Sequence, residues 1–387
     1  MTQEHDPRYL LLSKTLWTAC FLLGVMLSGL SGCASAPHQP TGDDQADLIW
    51  PLPPEAPRIK YLRSLWSEDQ IKPPESKMVQ LRDGLLGKPK QAGRRLKKPY
   101  AVHADREGRV FVADSGWGKV LVFDEKNKSL EVWGANGQGV LAKPLGITSD
   151  SHGRIYVTDS AKQRAIVYDR DGNFLYAMGL KGEMERPVGI AVDEARERVY
   201  IADTKAHQIV VYNFQGIRIG LIGRRGDKPG EFNFPTNLVI DKIGQLYVTD
   251  SMNFRVQVLG PDGDPRKSFG SNGDGRGQFV RAKGIALDSH GNVYVADSAF
   301  NNFQIFDSEG NILLDVGSHG NNPGQFILPA GIFIDQNDNI YVADQYNFRI
   351  QIFQYLRDSE ISNATNPSTR NNEETQGRKN KKGDSTT

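Results

Sequence analysis

Six aspartates close six nearly identical five-residue segments: Asp114 in VFVAD, Asp159 in IYVTD, Asp203 in VYIAD, Asp250 in LYVTD, Asp297 in VYVAD and Asp344 in IYVAD. Carboxylates in such numbers are raw material for calcium coordination or for paired acid–base work. A reacting centre is asymmetric, however, and these six recur at intervals of 45, 44, 47, 47 and 47 residues. Ser115, Ser160, Thr204, Ser251 and Ser298 follow five of them. An Asp in that setting accepts hydrogen bonds from the backbone of the next turn. The expected role is architectural. No cofactor is expected, although a calcium site built from carboxylates and carbonyls leaves little trace in a sequence.

The residues that differ between copies are better candidates for function. Five positions after each Asp come Lys119, Arg164, Gln208, Arg255, Asn302 and Arg349, four of the six basic. Strand polarity puts the loops that enter each unit on the same side. They add Lys143, Arg186, Arg225, Arg281 and Lys283 among others, against a smaller set of acids such as Glu183, Glu185 and Glu231. Trp117, Phe254 and Phe348 lie among them. Trp117, Arg164, His207, Arg225, Arg255, Lys283 and Arg349 are therefore the candidate binding residues. A basic face with aromatic residues suits an anionic or carbohydrate ligand, or an acidic patch on a protein. The competing reading is that these arginines pair with the aspartates and bind the units together. Among the histidines, His152 and His290 sit in equivalent DSHG turns, His103 reads as packed, and only His207 falls on the loop face. No zinc triad is apparent, and no nucleophile stands beside a base in the chain.

The elements that carry these residues repeat. Upstream of each closing Asp is a strand ending in a second Asp: Asp105, Asp150, Asp193, Asp241, Asp288 and Asp335. Downstream come a third strand (VLVFD, AIVYD, IVVYN, VQVLG, FQIFD, IQIFQ) and, in most units, a fourth. Four short strands rich in Val, Ile, Phe and Tyr, at a period near 45 residues, form one blade of a propeller. The segment Pro329-Ala330-Gly331-Ile332 through Phe353 resembles the NHL repeat, and six copies in phase span roughly residues 99–354. The resemblance implies an all-β, six-bladed propeller of four-stranded antiparallel blades over residues 58–355. Its last unit lacks a fourth strand, and residues 58–65 (RIKYLRSL) are expected to supply it. Residues 66–98 are a basic insertion with a short helix expected near Ser76–Leu86. Phe232, Phe279 and Phe326 are expected to pack between blades.

Both ends read differently. Residues 16–30 (LWTACFLLGVMLSGL) form an apolar run too short to span a bilayer, behind a start carrying Arg8 and Lys14. Leu30-Ser31-Gly32-Cys33 resembles a bacterial lipobox, which implies a signal peptide over 1–32 and an acylated Cys33. Ala34, in place of Asp, points within that resemblance to the outer membrane, facing the periplasm. Residues 33–57 read as a Pro-rich tether and 356–387 as a polar, unfolded tail.

The 47 basic and 46 acidic residues balance, so no whole-chain charge favours nucleic acid, and RNA is not an expected partner of an exported protein. Forty glycines in 387 residues accord with many tight turns. The expected protein is a monomeric, membrane-anchored scaffold that binds an envelope protein or an anionic glycan. The alternative is a periplasmic lyase or lactonase with a metal ion in its channel.

Overall fold

The computed structural model describes residues 48–72, Met78, Arg82, Leu86 and 93–357. Six antiparallel sheets hold almost all of its strands. In the first, strands Pro99–Ala104, Val110–Asp114, Lys119–Asp124 and Ser129–Trp133 lie side by side in chain order. Four others repeat that order, and the sixth departs from it after its third strand; the blade strands of different sheets share no ladder.

The innermost strands adjoin one another in a closed circuit. They are Pro99–Ala104, Pro144–Ser149, Pro187–Asp193, Pro235–Ile240, Ala282–Leu287 and Pro329–Ile334, and the last returns to the first. Closeness explains their sequence. A β-carbon on Gly189 would come within 2.5 Å of the Asn237 backbone in the next blade, so a side chain there would push the blades apart.

The last five residues of the second strand are buried in every blade, as in VFVAD and VYVAD. Both of its faces are covered by neighbouring blades, which is why it reads as a continuous apolar run rather than an alternating one. Six separate hydrophobic clusters fill the six gaps. Phe232, Phe279 and Phe326 plug three of them and are fully buried, as expected. Each such ring contributes about 1.5–3 kcal/mol. Gly270 and Gly317 make room: both adopt positive φ, and a β-carbon on either would lie 2.4–2.5 Å from the Phe279 or Phe326 ring.

The ring closes by pairing a strand that precedes blade 1 with the last strand of blade 6. Ile59–Leu65 is the fourth strand of blade 6 and runs antiparallel to Arg349–Tyr355, pairing Ile59 with Tyr355 and Leu65 with Ile350. The tether expectation is corrected at its end. Residues 48–57 are built onto the blade: Ile49–Trp50 adds a fifth strand, Trp50 packs edge-on against Phe353, and Pro57 is buried. An aromatic residue beside an unpaired strand edge outweighed the pull of the prolines toward an extended linker. The folded part also runs on past 355. Leu356 is buried and donates its N–H to the Arg58 carbonyl, and Arg357 pairs with Asp338. In the insertion, Glu68–Gln70 is a short 3-10 turn, and Met78 and Arg82 are helical. Leu86, at the end of the expected helix, is in a turn; its other residues lie outside the described ones, as do the signal-like segment, Cys33 and the tail from 358.

Candidate functional site

All six closing aspartates are fully buried. Each accepts backbone N–H groups from the loop that enters its own blade. Lys97 and Lys98 donate to Asp114 at 2.6 and 2.9 Å, and Glu185 and Arg186 donate to Asp203 at 2.8 and 2.7 Å. Most also accept from the following turn, as Gly116 and Trp117 donate to Asp114. Their oxygens are turned inward and occupied, so the architectural reading holds.

The same geometry sorts the candidate cations. Blades 4 and 6 share one motif, Asp-x-x-Asn-Phe-Arg-x-Gln, at 250–257 and 344–351. Arg255 pairs with Asp250 at 2.9 Å and Arg349 with Asp344 at 2.8 Å. Each guanidinium also donates to two carbonyls of the entering loop: Lys228 and Glu231 in blade 4, Asn322 and Gln325 in blade 6. Asn253, Gln257, Asn347 and Gln351 complete the two networks. Burial lifts the Asp250 and Asp344 carboxyls above the usual range, against the pull of the arginines. Arg255 and Arg349 are therefore structural, and their assignment to an open binding face is corrected.

His207 is corrected as well. It is 7 % exposed, packs at a tilt against the Phe234 ring, and its Nδ1 accepts the Phe234 N–H at 3.1 Å. It occupies a left-handed backbone position, as do Gly118, Gln163, Phe254, Asn301 and Phe348 at the equivalent place in the other blades. Asn301 clasps the next entering loop in the same way, accepting the Leu328 N–H. The histidine is a turn residue that staples blade 3 to blade 4. Arg164, equivalent to Arg255, makes no ion pair among the described residues, and its Nε is buried without a partner. Trp117 is 49 % exposed, donates its indole N–H to the Arg95 carbonyl and lies beneath Lys97. Arg225 is exposed.

Lys283 lies deeper than a loop residue. It is the second residue of the inner strand of blade 5, where the other blades carry Tyr100, Leu145, Val188, Thr236 and Ala330. With most of these it lines one mouth of the channel. Its Nζ sits 5.7 Å from the centre of the Tyr100 ring. Burial, then Arg281 and Lys98, pull Lys283 down to about 8, with Arg186 adding to the effect and Asp297 opposing it. Arg186 and Arg281 immediately precede their inner strands, as do Lys98 in blade 1 and Lys143 in blade 2. Among the described residues the side chains of Lys143, Arg186, Arg281 and Lys283 make no hydrogen bond or ion pair. Lys98 reaches only the Tyr346 hydroxyl, at 3.5 Å, and that ring. Cations without counter-ions raise the positive potential at this mouth.

Below this mouth the channel is aliphatic, with Val102, Ile147, Ile190, Leu238, Ile285 and Ile332 contributed one per blade. The opposite mouth holds a cleft of about 440 Å³ over the first turns of blades 6, 1 and 2. There His103 Nε2 lies 2.7 Å from Ser149 Oγ, a hydroxyl beside an imidazole that the sequence did not bring together. His103 Nδ1 is buried and unpartnered, and burial holds the ring down to about 4. Without a group on Nδ1 to orient the ring and raise its basicity, the pair lacks the arrangement that activates a serine. Among the described residues no three His, Cys, Asp or Glu side chains converge as metal ligands would.

Comparison with known proteins agrees with this architecture. Residues 140–220 and 279–372 match a family described as a 6-bladed beta-propeller, DUF5128. The chain is a six-bladed β-propeller. Solved structures with a similar course include a protein of unknown function from Bacteroides thetaiotaomicron VPI-5482. It is 19 % identical, with a TM-score of 0.52 over 67 % of this chain and 70 % of that one. A streptogramin B lyase is 14 % identical, with a TM-score of 0.52 over 67 % and 94 %. The virginiamycin B lyase of Staphylococcus aureus is 15 % identical, with a TM-score of 0.50 over 67 % and 95 %. At such identities the propeller shares a fold with these proteins. No curated protein sequence matches it.

Proposed function

We propose that this propeller is an NHL-type, lipid-anchored envelope protein that captures an anionic ligand at the Lys283 mouth. The ligand is an acidic patch on an envelope protein or an anionic glycan. One observation carries the reading: Arg186 and Arg281 lie near enough to Lys283, at one end of the channel, to act on its charge, and none of the three has a paired carboxylate among the described residues. Arg255 and Arg349, on the same face, show that this fold pairs its arginines when they serve the framework. The anchor is supported by Leu30-Ser31-Gly32-Cys33 behind an apolar run. One acyl chain binds a membrane marginally, so stable attachment calls for more than one. Ala34 favours the outer membrane.

The experiment compares the chain with an Arg186→Glu/Arg281→Glu variant for retention on an alginate matrix and for capture of proteins from solubilised envelopes. The expected result is at least about a tenfold loss of retention at low salt, from like charges placed where the anion sits. Undiminished retention rejects this mouth as the site. For the anchor, Cys33→Ser is expected to abolish palmitate incorporation and release the protein from membranes; a variant that stays labelled rejects Cys33 as the acylated residue.

A further inference from the structure

Lys283 differs from the other cations of the mouth in its chemistry. Its amine ends a flexible stem at the channel entrance, against the Tyr100 ring, and bonds to no acceptor among the described residues. The charged groups that face it are Arg281 from its own blade, Lys98 from blade 1, Arg186 from blade 3 and Asp297 from the adjacent strand. Asp297 is fully buried and accepts the N–H groups of Val280, Arg281, Ala299 and Phe300. It is a poor counter-ion for the ammonium. Desolvation and neighbouring cations are the two conditions that turn a lysine into a nucleophile.

We propose that Lys283 is a nucleophilic amine that captures small anionic carbonyl compounds, aldehydes or 2-oxo acids, as a Schiff base. The inference rests on the anion capture proposed above, which supplies the orientation: Arg186 and Arg281 hold the anionic substituent while the carbonyl carbon faces Nζ. The neutral amine adds its lone pair to that carbon. The carbonyl oxygen takes up the proton the nitrogen loses, giving a carbinolamine. The nitrogen lone pair then expels the hydroxyl, which leaves as water with the second amine proton, and a C=N bond remains. The overall change is amine plus carbonyl to imine plus water, without oxidation or reduction, and hydrolysis reverses it.

The full chain is incubated at pH 7 with glyoxylate and cyanoborohydride, which reduces any imine to a stable carboxymethyl-lysine, and each lysine is followed by peptide mapping. Lys283, held at about 8, has a larger unprotonated fraction than an ordinary lysine. It is expected to be modified about tenfold or more faster than exposed Lys126 and Lys181. With acetaldehyde, which lacks the anionic group, its lead over those two is expected to shrink. Parallel reactions with added sulfate separate the two ideas. A lead with glyoxylate that sulfate suppresses supports both. A lead that sulfate leaves unchanged keeps the amine chemistry and overturns the anion capture. Sulfate binding seen by NMR at the mouth, with Lys283 reacting no faster than Lys126 and Lys181, keeps the capture and overturns the Schiff base.

Discussion

Arg255 and Arg349 on one hand, and Arg186 and Arg281 on the other, point from loops on the same face of the propeller and meet opposite fates. The first two sit five residues after a closing Asp, within reach of its carboxylate and of two carbonyls of the entering loop. The second two sit on the entering loop itself. Their backbone N–H groups serve the buried Asp, while their side chains have nothing to bind. The same guanidinium is a rivet in one place and a free charge in the other. Position alone does not decide which: Arg164 stands where Arg255 and Arg349 do and pairs with no carboxylate among the described residues, and it lacks the Asn and Gln that complete their networks.

That contrast is tested most severely at Arg349. Removing one partner of a buried pair leaves the other charge without compensation, so Arg349→Ala should lower unfolding stability by about 3–5 kcal/mol. Arg255→Ala should cost less, because its side chain is 14 % exposed against 9 %. Urea titration reads both, and an Arg349→Ala protein as stable as the parent would erase the distinction.

A second test moves to the far mouth, where His103 is kept neutral rather than paired. Its folded value of about 4 lies below the ordinary 6.5. The unfolded chain therefore takes up the proton first as pH falls. The stabilisation from keeping His103 neutral is complete above pH 6.5 and is lost between pH 6.5 and 4, by about 3 kcal/mol. His103→Phe, which copies Phe333 in blade 6, should flatten that part of the pH–stability curve; an unchanged slope would show that other groups set it. The smallest effect is expected from Arg186→Glu/Arg281→Glu. With no partner to lose, its melting should stay within about 0.5 kcal/mol of the parent while anion retention falls. A variant that melts far earlier would place these residues with Arg349.

Much of this was written in the repeat. Six phased copies exposed the blades, the inward role of the aspartates and the strand at 59–65, because each depends on pattern within a unit or on a strand missing from one. What stayed hidden depends on contacts between units or on backbone conformation. Ser149 and His103 lie in different blades, and no spacing announces that they touch. His207 read as a lone histidine on an open loop, although Gly118 at the equivalent place in blade 1 signals a left-handed turn. Lys283 reads in the sequence as a loop residue. Alignment with Tyr100 and Leu145 would have moved it onto the inner strand. Arg255 and Arg349 were legible in kind but not in fate, since the carbonyls that claim them come from loops about 25 residues upstream.

The seam at blade 6 also dictates when the molecule can finish assembling. Tyr61 finds Phe353 across nearly 300 residues of chain, and two of the six gaps, those on either side of blade 6, stay incomplete until it does. Neighbouring blades 1 to 5 make contacts of short range and can organise in sequence. The last joint demands a chain-wide loop closure, the slowest kind of step for a polypeptide of this topology. Residues 59–65 therefore wait, without a mate, until all six blades between them and Arg349–Tyr355 have taken shape.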